Sequence, residues 1–377
     1  MNIDEIAAKV MEALKKEMNN MGHVNIIVSG KTGVGKSTLI NSVFREKLAD
    51  TGIGAPVTQT IKELTKKDFP LRVYDTVGLE LGSDKQRQVS DDINNIIKDA
   101  LSSRNKDKFI HCIWYCINVN SNRLEPAEEA FIDQLAKDNK HTDVPVIIVL
   151  TLAHNITLSK KMKNYIGDRN LNVKGVCIVL AEDYIDEDFC RKAYGGDNLI
   201  EFTLNVLPEA AQKAFINAQR ASLKTKRIKS QAIVGATVAA SFTEGFSPIP
   251  FSDAVLLVPT QIGMIASITA VYGLRIDKST ISAIITSLVG TSGATILGKT
   301  IAANLIKLIP GAGTAIGGLI SGATASALTT ALGETYIVIM EMLSKGEISQ
   351  NDIKTKKFTE FIRGVFKSKS NEEKNKE

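Results

Sequence analysis

Residues 24–40 read VNIIVSGKTGVGKSTLI, which is an apolar run, a glycine-rich loop and the start of a helical pattern that reaches residue 44. The loop matches G-x-x-x-x-G-K-[ST] at every position, with the preceding strand and following helix that a phosphate-binding loop needs. Glycines let backbone N–H groups turn inward around phosphate oxygens, and the N-terminus of the helix adds its dipole. The sequence therefore predicts a nucleotide-binding P-loop.

Two side chains of this loop have distinct expected roles. We expect Lys36 to reach the β- and γ-phosphates as a catalytic charge, and Ser37 to offer its hydroxyl to Mg²⁺. The predicted nucleotide-binding residues of the loop are Gly30, Lys31, Thr32, Gly33, Val34, Gly35, Lys36, Ser37 and Thr38.

Beyond the loop, short apolar runs alternate with helical patterns as far as Pro208. The runs are residues 71–74, 110–119, 144–150 and 176–180, and the helical patterns include residues 90–101 and 125–135. This alternation predicts an α/β fold, with a mainly parallel sheet and helices on both of its faces.

A second motif narrows the class of nucleotide-binding protein, since kinases, ATPases and GTPases all have P-loops. The run at 71–74 continues into Asp75-Thr76-Val77-Gly78, a D-x-x-G sequence at the end of a predicted strand. We expect Asp75 to hold Mg²⁺ through water and Gly78 to offer its backbone N–H to the γ-phosphate. The segment that follows would then become ordered only with a triphosphate. This pattern favours a GTPase.

The loop at residues 52–60, GIGAPVTQT, lies between the two motifs and carries the threonine that a first switch needs. Thr58 is the predicted Mg²⁺ ligand and Thr60 is the second choice; an ordinary turn leading into an edge strand is the alternative. The predicted metal-binding residues are thus Ser37, Thr58 and Asp75, and the predicted catalytic residues are Lys36, Thr58 and Gly78.

Together, these motifs resemble the Era-like branch of the translation-factor-class GTPases. The phrase at residues 248–254, PIPFSDA, followed by Tyr272-Gly273-Leu274, is similar to two related groups. These groups are bacterial GTPases with a YcjF-like C-terminal domain and the immunity-related (interferon-inducible) GTPases. The resemblance implies a P-loop GTPase-type fold plus a C-terminal all-α domain, a GTP or GDP ligand with Mg²⁺, and a homodimer through the G domain as one kind of partner.

The guanine-recognition motif departs from the pattern of such GTPases, which is N/T-K-x-D. The run at 144–150 leads to Thr151-Leu152-Ala153-His154-Asn155, where Thr151 fits but Leu152 and His154 replace Lys and Asp. Loss of a charged acceptor costs about 1.5–3 kcal/mol, or about ten- to a hundredfold in affinity. The expected base contacts are Thr151, His154 and Ala181, the last in a loop that backs the base. The Asn155 amide is another acceptor that could contact the base. The alternative for His154 is an exposed loop residue without a contact to the base.

Hydrolysis is expected to be slow, because Leu79 stands where Ras-like enzymes have the glutamine that orients water. Catalysis would then need the backbone, a residue across a dimer, or a partner. Lys31 and Arg123 are the nearby cationic candidates, with an ordinary surface position as the alternative for each. Two rival functions remain: a nucleotide-binding adaptor with negligible hydrolysis, and a base-promiscuous P-loop NTPase.

The composition changes after about residue 210, where strand patterns end and small residues dominate. Residues 254–274, 279–298 and 308–333 carry no charge and are long enough to span a bilayer. However, Pro259 interrupts the first stretch, and Gly318, Gly322, Ser326 and Thr330 form a small-x-x-x-small face. A tightly packed soluble bundle and a membrane hairpin or reversible insertion both fit this pattern.

Basic segments flank the apolar region. Arg220, Lys224, Lys226, Arg227 and Lys229 precede it. Residues 354–369 mix Lys and Arg with Phe358, Phe361, Ile362, Val365 and Phe366. Anionic lipid suits such an amphipathic basic pattern, and so does a helix packed on the protein with a solvated basic face.

Overall properties limit the remaining function classes. The net charge of +5 is modest, so no nucleic acid is expected, and four cysteines in 377 residues do not form a disulfide framework. The charged N-terminus predicts an amphipathic helix and no signal peptide, hence a cytoplasmic protein. A peripheral or inserted position at a membrane is one of the alternatives that the apolar C-terminal stretches leave open. The predicted parts are the N-terminal helix (1–21), the G domain (22–207), the helical domain (210–345) and a basic tail (346–377).

Overall fold

The computed structural model describes residues 2–48, 54–76, 78, 83–121, 123–187, 189–244, 253–289 and 322–374. These fall into two units, Met21–Thr225 and a second one formed by Met1–Asn20 together with Lys226–Glu377. The first unit is an α/β domain and the second is helical.

The strands and helices are numbered along the chain. The strands are β1 (Val24–Gly30), β2 (Gly54–Pro56), β3 (Ile61–Thr65), β4 (Leu71–Thr76), β5 (Cys112–Asn118), β6 (Val146–Thr151), β7 (Gly175–Ile178), β8 (Tyr184–Asp186) and β9 (Phe189–Arg191). The helices are α1 (Ile3–Asn19), α2 (Lys36–Val43), α3 (Ser83–Ser102), α4 (Pro126–Asp138), α5 (Ile156–Gly167), α6 (Gly196–Val206), α7 (Glu209–Ala218), α8 (Leu223–Glu244), α9 (Asp253–Tyr272), α10 (Lys278–Val289), α11 (Gly322–Lys345) and α12 (Lys356–Lys374).

The sheet of the first unit confirms the predicted fold class. Within the described residues its strand order is β2-β3-β4-β1-β5-β6-β7; the pairs β2–β3 and β3–β4 are antiparallel, and the other neighbouring pairs are parallel. β1, β5 and β6 are mostly apolar because both of their faces are covered. The parallel pairing brings the carboxyl ends of β1, β4, β5 and β6 to one edge, where the P-loop begins.

The core of the first unit extends past the predicted boundary at residue 207. The indole of Trp114 stacks on Phe44 with ring centroids 5.8 Å apart, and Phe215 packs edge-on against both rings. Phe215 lies in α7, which contacts β1 and β4. The domain therefore includes α7, because this helix completes the aromatic cluster on one face of the sheet.

The N-terminal helix belongs to the helical unit rather than forming a part of its own. The apolar stripe of α1 is buried at Ile6, Ala7 and Val10, and α1 packs against α9 and α10. At its start, the Ser282 hydroxyl donates to the Asp4 carboxylate over 3.1 Å. An amphipathic helix needs an apolar surface to cover its stripe, and here the C-terminal helices provide that surface.

Small residues let the helices of the second unit approach closely. A Cβ built at Gly333 of α11 would lie 2.5 Å from Val234 Cγ2 of α8 and 3.1 Å from Met264 Sδ of α9. The helix α9 also runs through Pro259, which the sequence analysis expected to interrupt it. In the described part of the chain, no helix is long and apolar enough to cross a membrane. Gly318, one of the predicted stripe residues, lies outside the described residues.

Several flanking basic residues contact the protein itself. The Lys226 ammonium donates to the carbonyl oxygens of Val271 and Tyr272 over 2.8 and 3.1 Å, at the end of α9. Arg227 forms an ion pair of 2.6 Å with Glu341. These charges therefore stabilise helix packing within the unit.

The basic tail forms the helix α12, which packs against α10 and α11. Its apolar face is buried at Phe358, Ile362 and Phe366, while Phe361 is 47% exposed. The arrangement is that of a helix packed on the protein with its basic face toward solvent, the second alternative that the sequence left open.

Candidate nucleotide-binding site

The P-loop has a backbone that demands glycine at its two ends. Gly30, at the end of β1, has φ of 141°, and a Cβ there would collide with the Cys116 carbonyl oxygen. Gly35 has φ of 87° and is the N-cap of α2. L-residues with side chains rarely adopt these angles, so the loop can turn into the helix only with glycine. This conformation places the N-terminus of α2, with Ser37 exposed, at the carboxyl edge of the sheet.

The Lys36 side chain is folded over its own loop. It is buried, and its Nζ donates to the carbonyl oxygens of Gly30 over 3.0 Å and Lys31 over 3.1 Å. Burial lowers the pKa of Lys36, and the negative charge of Asp75 opposes that shift. The P-loop therefore holds the Lys36 ammonium near the Asp75 carboxylate, which the D-x-x-G motif predicts for the same site.

The Asp75 carboxylate has a buried oxygen without a protein partner. Its Oδ1 makes no hydrogen bond to any residue that the structure describes. Burial raises the pKa of Asp75, and the positive charges of Lys36 and Lys62 oppose that shift. A buried oxygen left unpaired is costly. Mg²⁺ is bound in nucleotide sites through few carboxylates, waters and phosphates, so Asp75 and the Ser37 hydroxyl fit this ion.

Gly78 lies directly against the P-loop. A Cβ built at Gly78 would be 2.5 Å from the Cα and 2.6 Å from the nitrogen of Thr32. The D-x-x-G glycine and the phosphate loop are thus adjacent, as a γ-phosphate contact would require. Val77 and Leu79, the latter in the place of the missing glutamine, lie outside the described residues.

The two candidate threonines of the first switch are engaged within the protein. The Thr58 hydroxyl accepts hydrogen bonds from the backbone N–H groups of Thr60 and Ile61, each over 3.1 Å. The Thr60 hydroxyl donates to the Asp92 carboxylate of α3 over 2.5 Å. Neither hydroxyl is placed as a metal ligand by these contacts, so the Mg²⁺ role of Thr58 stays a prediction that requires this turn to rearrange.

Lys31 belongs to a partly buried set of polar contacts that the sequence motifs do not reveal. Its Nζ lies 2.7 Å from Glu128 Oε2 and 3.5 Å from Glu125 Oε2, both at the start of α4. The Tyr115 hydroxyl on β5 donates to Glu128 Oε1 over 3.2 Å. Lys31 therefore anchors the P-loop to α4, and it is not a cation held ready for catalysis. Arg123, the other cationic candidate, lies exposed in the loop before α4.

We expect unequal effects from removing the two partners of this ion pair. Lys31→Ala leaves the Glu128 carboxylate, whose side chain is 4% exposed, without its cation, and should lower the free energy of unfolding by about 2–3 kcal/mol. Glu128→Gln should cost about 1 kcal/mol, because the 24%-exposed Lys31 can still reach Glu125 and water. Urea unfolding followed by fluorescence of Trp114, the single tryptophan, measures both.

The matched control for that experiment is Lys137→Ala. Its partner is Asp133 at 2.6 Å, and the lysine side chain is 56% exposed. Removal of such an exposed pair should change the free energy of unfolding by no more than about 0.5 kcal/mol. An equal effect of Lys31→Ala and Lys137→Ala would show that the buried pair does not anchor the loop.

The loop predicted to contact the base is held against the P-loop by its first two residues. The Thr151 hydroxyl donates to the Val34 carbonyl oxygen over 2.6 Å and lies 3.1 Å from that of Ile117. Leu152 has φ of 52°, and its side chain faces Gly35, where a built Cβ would be 3.6 Å away. Thr151 thus supports the P-loop, and Leu152 occupies the place of the motif lysine.

The next residues divide into a helix cap and an aromatic stack. The Asn155 side chain accepts from the Leu158 backbone N–H over 3.0 Å and caps α5, so its oxygen is already used. The His154 ring stacks on Tyr184 of β8, with centroids 4.3 Å apart and planes 13° apart. Ala181 is half-buried between β7 and β8. Tyr184 could not be found from the sequence, because its three-residue strand lacks an apolar run.

Comparison with protein-family models assigns both parts of the chain. Residues 25–152 match the model described as 50S ribosome-binding GTPase, and residues 206–370 match DUF697, a domain of unknown function. The chain therefore carries a P-loop GTPase domain followed by a DUF697 domain. GTP or GDP with Mg²⁺, the ligands predicted from the sequence, are the ligands of this class of GTPase domain.

Individual relatives match less than half of the chain. The chain is 25% identical to septin-9 of Rattus norvegicus over 177 residues, which are 41% of this chain and 30% of the septin. It is 26% identical to neuronal-specific septin-3 of Rattus norvegicus over 177 residues, 40% of this chain and 48% of that protein. The chain thus covers less than half of the length of either relative.

Two solved structures match parts of the chain at low identity. Toc33 from Arabidopsis thaliana, in complex with Mg²⁺ and GMPPNP, is 18% identical, covers 56% of this chain and 92% of its own, and has a TM-score of 0.32. Cdc11 from Saccharomyces cerevisiae is 21% identical, covers 49% and 77%, and has a TM-score of 0.29.

Proposed function

We propose that this protein is a GTP-binding switch whose slow GTP hydrolysis ends the triphosphate-bound state. The observation that carries the proposal is the meeting of three elements at one edge of the sheet. These are Lys36 folded over the P-loop, the unpartnered Asp75 oxygen beside it, and Gly78 against Thr32. In this proposal Lys36 is the cation that binds phosphate, Asp75 is the carboxylate that holds Mg²⁺, and Gly78 senses the γ-phosphate.

Each residue has a defined role in this proposal. Lys36 and the backbone N–H groups of the P-loop hold the β- and γ-phosphates, and Gly78 offers its N–H to the γ-phosphate. Ser37, Thr58 and Asp75 hold Mg²⁺, which when bound neutralises charge on the phosphate oxygens. Positioning and electrostatics are sufficient for this chemistry, so no covalent intermediate is expected.

Slow turnover is expected because the sequence lacks a residue that orients the attacking water and a cation held ready for catalysis. Leu79 cannot orient water, and the Lys31 ammonium is held by Glu128. We therefore propose that a residue across a G-domain homodimer, or a partner protein, completes the catalytic site. Such a requirement couples hydrolysis to assembly.

The helical unit would make the contact that depends on the bound nucleotide. We propose that the nucleotide state controls its association with a membrane surface or a protein partner, from a cytoplasmic location. The exposed basic face of α12, with Phe361 on it, supports contact with an acidic surface. The resemblance to Era-like, YcjF-like and immunity-related GTPases gives the subfamily that we propose.

His154 favours a second candidate function. An imidazole replaces the motif carboxylate, so the domain would accept adenine as well as guanine nucleotides. A third candidate, an adaptor that binds GTP without hydrolysing it, is favoured by Leu79.

Calorimetric titration of the full chain with GTPγS, GDP and ATPγS in Mg²⁺ tests the proposal. We expect guanine nucleotides to bind at least about tenfold more tightly than ATPγS. Equal affinities would establish the base-promiscuous NTPase instead, and no binding to folded protein would reject the switch.

Phosphate release then separates a GTPase from an adaptor. We expect slow GTP turnover that rises with protein concentration or with anionic vesicles, and vesicle flotation that differs between GTPγS and GDP. GTP binding without turnover under every condition would support the adaptor. Equal flotation in both nucleotide states would reject the control of membrane association.

A further inference from the structure

We propose that the β8–β9 hairpin is the base-recognition element of this domain, in which Tyr184 holds the His154 ring so that a ring nitrogen contacts the edge of guanine. This inference rests on the proposed GTP-binding function and names the residues that would select the base. It assigns to a stacked aromatic pair the task that a carboxylate performs in the usual motif.

The loop that carries His154 is fixed relative to the phosphate site. Thr151 bonds to the P-loop carbonyl of Val34 over 2.6 Å, and the Asn120 amide donates to the Leu152 carbonyl oxygen over 3.2 Å. The Tyr194 hydroxyl donates to the Ala153 carbonyl oxygen over 2.7 Å. Three consecutive residues before His154 are thus held in place, and His154 follows at the carboxyl edge of β6.

The His154 ring itself is oriented by stacking rather than by hydrogen bonds. Its plane lies 13° from that of Tyr184, with centroids 4.3 Å apart, and neither ring nitrogen bonds to a residue that the structure describes. The Tyr184 hydroxyl bonds to Asp186 over 3.1 Å, within the hairpin. The stack therefore fixes the direction of the imidazole while leaving its nitrogens available to a ligand.

The hairpin is itself a well-supported platform. Phe189 on β9 packs against Tyr184 at 6.3 Å between centroids, and the Arg191 guanidinium lies 4.9 Å from the Phe189 ring. At the base of the hairpin, the Asp183 carboxylate accepts from the Ala193 backbone N–H over 2.8 Å. These contacts keep Tyr184 in position beneath the imidazole.

An imidazole reads guanine differently from a carboxylate. A carboxylate accepts from both N1 and the exocyclic N2 of guanine, whereas one imidazole nitrogen makes a single hydrogen bond. The exocyclic amine then contributes little, and IDP, which lacks it, should bind within about threefold of GDP. ADP should bind at least about tenfold more weakly than GDP, because its base edge presents a different donor and acceptor pattern.

The experiment measures the affinities of the full chain for GDP, IDP and ADP in Mg²⁺. Tyr184→Ala and His154→Ala should each lower the GDP-to-ADP affinity ratio about tenfold, and the double variant should lower it no further, because both act through one contact. Tyr184→Phe is the matched control, since it keeps the ring and removes only a hydroxyl that bonds within the hairpin. It should retain the wild-type ratio.

Several results would overturn this inference. An unchanged ratio in both alanine variants would place base recognition elsewhere. A lower ratio in His154→Ala alone would remove the positioning role of Tyr184. Equal losses for GDP and ADP, together with a lower melting temperature, would make the stack a structural element only. Absence of guanine-nucleotide binding in the wild-type chain would instead reject the proposed function itself.

Discussion

Lys36→Ala should weaken the binding of both GTPγS and GDP by about a hundredfold or more. The charge-assisted hydrogen bonds of this ammonium to phosphate are each worth about 1.5–3 kcal/mol, and they act in a partly dehydrated site. Lys36 is also the stronger of two cations that act on the half-buried Asp75 carboxylate, so its removal leaves only the exposed Lys62 to compensate that charge. Calorimetry of the variant with both nucleotides measures the effect.

Lys62→Ala is the control for this variant. Lys62, on β3, also acts electrostatically on Asp75, but it is exposed and lies outside the P-loop. Its removal should change nucleotide affinity by no more than about threefold, since exposed charges are screened by solvent. Circular dichroism must show both variants folded. Retained nucleotide binding by folded Lys36→Ala would mean that the phosphates bind somewhere other than this loop.

Gly78→Ala should abolish the difference in affinity between GTPγS and GDP. The new methyl group would lie 2.5 Å from the Cα and 2.6 Å from the nitrogen of Thr32, and these backbone atoms leave it no room. The D-x-x-G segment would have to move away from the P-loop. Its N–H could then no longer reach a γ-phosphate, whereas GDP makes no such contact. We expect GTPγS affinity to fall about tenfold and GDP affinity to stay within about threefold.

The control is Gly167→Ala, at the end of α5 in the same unit. A Cβ built there meets no atom within 4 Å, so the substitution adds the same methyl group without a collision. It should leave both affinities unchanged. A Gly78→Ala protein that still binds GTPγS as the wild type does would show that Gly78 does not sense the γ-phosphate.

The amino-acid sequence was sufficient for the α/β fold and for the P-loop. The motif residues of the P-loop are contiguous, and their roles follow from the backbone that they impose, such as the positive φ of Gly35. The buried strands could also be predicted from the sequence, because strands covered on both faces are mostly apolar. Asp75 and Gly78 also follow from local sequence, because they lie at the end of such a strand.

The partners of the loop residues could not be read from the same patterns. Lys31 meets Glu125 across 94 positions of sequence, and neither this pair nor that with Glu128 has a motif. Tyr184 reaches His154 from an exposed hairpin whose strands are three residues long. Similarly, the sequence revealed that α1 is amphipathic but not what would cover its apolar stripe.

Local sequence therefore specified the chemistry of the phosphate site, because backbone conformation and residue type act within a few positions of each other. Folding specified which distant side chains support that site, with Glu128 under the P-loop and Tyr184 under His154, and it placed α1 on the C-terminal helices. These contacts depend on packing between segments far apart in the chain. Packing selects for shape and burial, which many residues satisfy, and so it leaves no signature in any one stretch of sequence.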